Sequence, residues 1–333
     1  MHKHALVIYN PTAGTAVGPD LWLGAIVHRL CEEADYAVTV MPTRPGMDLQ
    51  EIFHHAPHPD LVVAAGGDGT VRCALGAVAR FRPRIPVGIL PLGTGNQLAR
   101  NLGIYEENIL GDPLDDAIQV LMTGKPMPID LGVMNGEYFC VAAGAGPLSD
   151  AVISTDHQEK VNWKMLAYAS SMIQTLALPP VNFRLTTVGE SFIVRAAGVF
   201  ITNISDLGVG KLSDTAELND GLLDLCVLNP TEFQDYVELG FRFAGGFIGG
   251  KAPYYIRKVD SLLVEVIPRP PKKTRLQALG STIKNLFMGE QEPAPLPQKE
   301  VIAMIDGDAH GTTPMQIEVV SQAVSIIVPQ NRA

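Results

Sequence analysis

The feature that most constrains this chain is a buried-looking run that stops in glycines. Val62-Val63-Ala64-Ala65 leads directly into Gly66-Gly67-Asp68-Gly69-Thr70, and an amphipathic segment, Val71 to Phe81, follows. The order reads as buried strand, tight turn, helix. Glycines let the backbone approach a bulky anion and adopt positive φ. Amides of the turn and of the helix start then converge on one spot, where phosphate binds well. Asp68 lies in the middle of that turn. A carboxylate beside phosphates is unfavourable unless it meets a cation or water, so Mg²⁺ is expected nearby. Taken alone, the stretch is also compatible with a turn that does nothing but turn.

Its neighbours repeat the pattern. Ala5 to Tyr9 reads as a strand, followed by the turn Asn10-Pro11-Thr12-Ala13-Gly14 and a helix from Leu21 to Ala34. Tyr36 to Met41 is a second strand ending at Pro42-Thr43, and Leu49 to His55 a second helix. Val87 to Leu90 is a strand that ends in Pro91-Leu92-Gly93-Thr94-Gly95-Asn96, with a helix from Gln97 to Asn101 and another from Asp112 to Met122. Strands alternating with helices predict a parallel sheet covered on both faces. The polar turns all follow strands, at the carboxyl edge where such sheets bind ligands.

Beyond Lys125-Pro126 the rhythm changes. Strands are expected at Pro128–Val133, Tyr138–Ala143, Asn182–Thr187, Ser191–Thr202, Leu222–Leu228, Leu262–Ile267, Ile302–Asp306, Met315–Val320 and Ala323–Val328. Helical spacing returns at Trp163–Leu178 and Glu232–Phe243. This half reads as an antiparallel sandwich or barrel with helices attached. The expected division is 1–130 and 131–333, within a length of 333 residues that suits two domains. Residues 268–299 stand out as a Pro-rich basic insertion. Leu276, Leu279, Ile283, Leu286 and Phe287 share one helical face there, among Arg269, Lys272, Lys273, Arg275 and Lys284. A basic amphipathic helix suits an anionic bilayer surface; a linker, or a helix packed on its own domain, is the plainer alternative.

Composition removes several classes. A formal net charge of −10 argues against nucleic acid as a partner. Cys31, Cys73, Cys140 and Cys226 have no paired spacing and read as reduced thiols of a cytoplasmic protein. The N-terminus runs straight into a strand, so no signal peptide is expected. No apolar run reaches the ~18 residues a spanning helix needs, so a lipid substrate would be met from outside the bilayer. His54 and His58 have metal-ligand spacing, but Pro57 and Pro59 break that helix and favour a surface turn. Gly208 to Lys211 lacks phosphate-loop spacing, and Gly144-Ala145-Gly146 lacks a third glycine and reads as a turn.

Three motifs in order, Gly66–Thr70, Pro91–Asn96 and Leu218-Asn219-Asp220-Gly221-Leu222-Leu223-Asp224, resemble the diacylglycerol kinase catalytic-domain family, especially its soluble bacterial lipid kinases. The likeness spans nearly the whole chain: Asn10–Gly14, Ile129-Asp130-Leu131-Gly132, Thr202-Asn203 to Gly210, and Ile305-Asp306-Gly307-Asp308, similar to the family's Asp-Gly-Glu. The resemblance implies an α/β nucleotide domain, shared with NAD kinases, beside a β-sandwich lipid domain. It implies ATP as donor, Mg²⁺ as cofactor and a membrane lipid hydroxyl as acceptor at the membrane surface. Nucleotide contacts would come from Asn10, Pro11, Thr12, Ala13, Gly14, Thr43, Gly66, Gly67, Asp68, Gly69, Thr70, Thr94, Gly95 and Asn96. Asp68 and Asp130 would join the catalytic Mg²⁺ network. Asp220, with the carbonyls of Glu217 and Leu222, would hold a second, structural Mg²⁺. Oligomeric state is open, a homodimer among the readings.

Phosphoryl transfer needs an in-line hydroxyl, charge neutralisation and a proton acceptor. Asp306 and Asp308 are two apart, so an extended strand would point both the same way. Either one is then a candidate base, the other meeting metal or water. Two positions depart from the family. Gln97 stands where the family often has Asp, and Asp308 is one methylene shorter than the family's Glu. An NAD kinase-like metabolite kinase and an inactive nucleotide-binding homologue are the alternatives.

Overall fold

The apolar runs early in the chain form a parallel sheet. In this computed structural model the strands β1 (Lys3–Tyr9), β2 (Tyr36–Pro42), β3 (Leu61–Gly66) and β4 (Pro86–Pro91) lie in the order β2-β1-β3-β4, all parallel. The structure describes residues 3–12, 19–44, 46–104, 113–154, 179–207, 211–230, 235, 254–267 and 300–332. β3 is buried along its whole length, as a strand with helices on both faces must be. The helices are α1 (Pro19–Glu32), α2 (Asp68–Phe81), the short α3 (Gln97–Asn101) and α4 (Pro113–Thr123). The predicted helix at residues 49–55 is a single 3₁₀ turn, Leu49–Phe53, begun by Asp48, whose carboxylate accepts the Gln50 amide at 2.9 Å.

The second half is antiparallel. β5 (Lys125–Met134) and β6 (Glu137–Phe139) form a hairpin; β7 (Ala142–Ala145) and α5 (Pro147–Ser154) follow. Then come β8 (Val181–Thr187), β9 (Glu190–Ala196), β10 (Gly198–Thr202), β11 (Leu223–Leu228), β12 (Tyr254–Val259), β13 (Ser261–Val266), β14 (Ile302–Ile305), β15 (Asp308–Thr312) and β16 (Met315–Val328). One six-stranded sheet runs β12-β11-β10-β7-β14-β15. Its inner face packs on β8, β13 and β16 through Phe139, Phe183, Leu185, Ile201, Leu225, Val264, Ile305 and Ile317, the core of a β-sandwich.

Four local expectations change. Ser191–Thr202 is two strands in different sheets, β9 ending at Ala196 and β10 starting at Gly198. Met315–Val320 and Ala323–Val328 are one strand, broken only by a shift in register against β5 where Gln322 takes φ of 49°. Tyr138–Ala143 is two strands, because the chain bends at Cys140-Val141. Gly144 lies inside β7 rather than in a turn, and only Gly146 takes positive φ. The predicted helices at 163–178 and 232–243 and the basic segment 268–299 lie outside the described residues. No helix among the described residues is long and apolar enough to cross a membrane.

β16 ties the two halves together. Its first residues pair with β13, its last pair parallel with β4 through Ser325 and Ile326, and β5 runs along its other edge. The ten-stranded sheet is therefore continuous from the nucleotide-type half into the sandwich.

Candidate active site

Every parallel strand delivers its following turn to one edge. Asn10 leaves β1 with its amide bonded to the Ala65 carbonyl, and its side-chain oxygen accepts both the amide and the hydroxyl of Thr12. Thr43 leaves β2 with amide and hydroxyl both donating to the Tyr9 carbonyl. Gly67 and Asp68 open α2, and Leu92 after β4 donates to the Gly66 carbonyl. Asn10 to Thr12, Thr43, Gly66 to Thr70 and Thr94 to Asn96 thus share the carboxyl edge of the sheet. Pro11 and Thr12 are exposed there; Ala13 and Gly14 lie outside the described residues.

Two of these turns touch backbone to backbone. A side chain on Gly93 would lie 2.4 Å from the Gly67 Cα, so neither turn could close with anything larger there. Asn96 fastens the second turn from within: its side chain accepts the Gly93 amide at 3.0 Å and donates to the Gly93 carbonyl at 2.7 Å. Asn96 itself takes φ of 50°, a conformation asparagine tolerates better than most residues. Asp68 closes the arrangement. Its Oδ1 accepts the Gln97 amide at 2.7 Å, and its Oδ2 lies where a Cβ on Gly95 would come within 2.5 Å. Gln97 therefore contributes its backbone amide to Asp68. Burial raises the Asp68 pKa, opposed by the Gln97 amide and assisted by the nearby Asp306 charge.

The Asp306 charge comes from the other sheet. β14 and β15 meet in a two-residue turn, with Ile305 opposite Asp308 and φ of 49° and 91° at Asp306 and Gly307. Positive φ at both positions is the turn that matches strand twist. The expected extended arrangement, with both carboxylates facing one way, is absent. Asp306 turns inward. Its Oδ1 accepts the amides of Val141 and Ala142 at 2.9 and 3.0 Å, and its Oδ2 accepts the Cys140 amide and thiol at 3.1 and 3.2 Å. A carboxylate has about four acceptor sites, so those of Asp306 are engaged and it is poorly placed to take a proton from substrate. Burial raises its pKa, against the Arg72 guanidinium and the three amides. Asp308 stays exposed at the start of β15, its Oδ2 3.4 Å from Arg72 Nη2. Arg72 also donates to the Ile305 carbonyl at 3.2 Å, so it clasps the hairpin to α2.

A polar frame stands behind this turn. Asp130 is fully buried, and its carboxylate accepts the amides of Gly221 at 2.6 Å and Gln322 at 2.7 Å. It thus clamps the 218–222 loop. Asn203 donates to the carbonyls of Asp130 and Cys140 at 2.8 and 3.4 Å. The 218–222 loop is linked in this way to the Cys140–Ala142 amides that hold Asp306.

Among the described residues no three His, Cys, Asp or Glu side chains are arranged to hold a metal by themselves. His54, His55 and His58 are exposed around the 3₁₀ turn and form no such cluster. The upper site still fits Mg²⁺ arriving with a nucleotide, because that ion takes one or two carboxylates plus phosphate and water oxygens, and Asp68 and Asp308 offer hard oxygens. The lower loop does not fit a second Mg²⁺. Lys258 Nζ forms an ion pair with Asp220 Oδ2 and lies 3.9 Å from Glu217 Oε1, while Asp220 Oδ1 accepts the Leu222 amide.

Sequence reasoning did not single out Arg72 or Lys258. Arg72 had a legible signal, being one helical turn beyond Asp68 on α2. Lys258 had none, because β12 was not expected as a strand.

The chain is similar to proteins of known family. A family model for the diacylglycerol kinase catalytic domain matches residues 4–134. A diacylglycerol kinase of Bacillus subtilis (strain 168) is 30% identical over 241 residues, 71% of this chain and 77% of the relative. One from Staphylococcus aureus (strain JH9) is 31% identical over 245 residues, 72% of this chain and 74% of the relative. The crystal structure of a diacylglycerol kinase from Bacillus anthracis (strain Sterne) has a TM-score of 0.69 at 19% identity, over 100% of this chain and 99% of its own. Yeast NADH kinase complexed with NADH has a TM-score of 0.50 at 12% identity, over 98% and 82%. At such identities the structural likeness speaks for the fold alone.

Proposed function

From the premise that this chain belongs to the diacylglycerol kinase catalytic-domain family, and is a phosphotransferase with an alcohol acceptor, we propose that it moves the γ-phosphate of ATP to a hydroxyl of a membrane lipid such as diacylglycerol. The observation that carries the reading is the meeting of the Gly66–Thr70 and Gly93–Asn96 turns with the Asp306–Asp308 hairpin. Asn10 to Gly14, Thr43 and the two turns bind the nucleotide at the carboxyl edge of the parallel sheet. Turn amides and the start of α2 face the phosphates. Asp68 would hold Mg²⁺ together with the phosphates, and the ion would supply charge neutralisation at the transferred group. Asp308 is the exposed carboxylate opposite those turns, and it takes the proton from the lipid hydroxyl as that oxygen bonds to the γ-phosphorus and the bond from the γ-phosphorus to the β-phosphate oxygen breaks, releasing ADP. Arg72 positions Asp308, and Asp306 anchors the hairpin from behind. The lipid is met from the membrane surface, with the basic 274–288 stretch as the contact.

The direct test is transfer of labelled γ-phosphate from ATP and Mg²⁺ to diacylglycerol in mixed micelles, with NAD as a parallel acceptor. Label in an organic-extractable product supports the lipid reading. Label on NAD alone overturns it in favour of the metabolite kinase with which the fold is shared. No transfer to either acceptor, with ATP still bound, points to the inactive homologue.

A further inference from the structure

We propose that the 218–222 loop is held by a cation that the chain supplies itself, the Lys258 ammonium, in place of a bound divalent ion. The loop gathers negative charge: Glu217, Asp220 and Asp224 fall within one short stretch. Asp224 is buried and already accepts the hydroxyls of Ser213, at 3.1 Å, and Thr215. β12 runs antiparallel to β11 with Lys258 opposite Asp224, which brings its four-carbon stem to the loop. The ammonium pairs with Asp220 Oδ2, with Glu217 Oε1 at 3.9 Å. Asp220 Oδ1 meanwhile caps the Leu222 amide at 3.0 Å, and Gly221 gives its amide to Asp130. Asp220, Glu217 and Asp224 all favour the charged lysine and raise its pKa.

A divalent ion on Asp220 Oδ2 would have to face that ammonium or expel it. Like charges at such distances repel strongly, so one cation excludes the other. A tethered cation also differs from a bound one in mass action. A metal at free concentration c stabilises by RT ln(1 + c/Kd), so its effect depends on metal concentration, whereas a lysine is present at any metal concentration. Stability of this loop is therefore independent of Mg²⁺ in the natural sequence, and it should acquire metal dependence once the ammonium is removed.

The experiment is thermal melting of the full chain without nucleotide, in EDTA and in millimolar Mg²⁺, for the wild type, Lys258→Gln, Lys258→Arg and Lys258→Gln/Asp220→Asn. The wild type is expected to melt at one temperature in both conditions. Lys258→Gln is expected to lose a few degrees in EDTA, roughly 2–6 °C for a chain of this size, and to regain them in Mg²⁺. Lys258→Arg keeps the charge and the wild-type behaviour, and the double variant loses the Mg²⁺ rescue. The inference fails if Lys258→Gln melts like the wild type in EDTA, or if its loss is not rescued by Mg²⁺. Should Lys258→Gln fail to fold, the wild type decides alone through equilibrium dialysis of Mn²⁺. A Mn²⁺ site that Asp220→Asn removes overturns the proposal, and no such site supports it. None of these readouts depends on which acceptor is phosphorylated.

Discussion

Asp68 lies in surroundings that oppose its charge. Burial and the Asp306 charge raise its pKa, with the Gln97 amide opposing. An acid whose folded pKa lies above its unfolded value binds more protons when folded, so it contributes most at low pH. That contribution is lost as pH rises through the window from the unfolded to the folded value. Asp68→Asn, which keeps an oxygen for the Gln97 amide, should therefore melt higher than the wild type at neutral pH without metal. The difference should vanish below the ordinary carboxylate range. The same variant should lose phosphoryl transfer by about 10²-fold or more, the scale of removing one preorganised electrostatic group. A higher melting temperature with unchanged turnover would leave Asp68 a structural acid. Asp306 and Asp308 should separate by readout. Asp308→Asn should lower kcat by about 10²–10⁴-fold with melting unchanged, as befits an exposed side chain. Asp306→Ala should cost about 3 kcal/mol or more in urea unfolding, because three amides lose their acceptor. Equal stability in the two variants would reverse the assignment. The place of Asp68 was legible because its glycines mark a tight turn between a buried strand and a helix. The Asp306/Asp308 division was not, because two-residue spacing aligns side chains only on extended backbone, and Asp306 and Gly307 take positive φ.

At the scale of elements, the phosphate-type turns work as a pair. Gly93 and Gly95 are two residues apart yet guard different things: Gly93 meets the Gly67 backbone, and Gly95 meets the Asp68 side chain. Gly93→Ala should force the two turns apart, costing about 1–3 kcal/mol as overpacking does, and should weaken ATP binding. Gly95→Ala should leave melting nearly unchanged, since a carboxylate can swing, and should lower kcat by displacing Asp68. Melting curves and ATP titrations on both variants check this; equal destabilisation would mean the turns move as one body. The strands of the parallel sheet were legible from their apolar runs. β12 and β15 were not: Tyr254–Val259 carries Arg257 and Lys258, and Asp308–Thr312 carries Asp308, His310 and Gly311. Such strands exist because they pair with β11 and β14, and a strand held by its partner's ladder needs no apolar periodicity of its own.

For the whole molecule, β16 sets how the Gly66–Thr70 turn faces the Asp306–Asp308 hairpin. One strand pairs with β4, β5 and β13, so a shift along it would move the Asp306 hairpin and the Gly66–Thr70 turn together. The alternation of elements foretold two sheets; it could not foretell that the last strand returns to the first sheet, because Val324, Ile326 and Val328 read the same against either partner. On the proposed reading, the 274–288 sequence supplies Arg275 and Lys284 among Leu276, Leu279, Ile283, Leu286 and Phe287, in a chain whose net charge of −10 would otherwise be repelled by anionic lipid. Deleting residues 274–288 should weaken co-sedimentation with phosphatidylglycerol vesicles and make the remaining binding insensitive to salt. Turnover on a short-chain, dispersed diacylglycerol should stay near wild type, because none of the nucleotide turns or the Asp306 hairpin is touched. Loss of both activities would mean that the segment shapes the acceptor side itself. Unchanged vesicle binding would place membrane contact elsewhere on the protein.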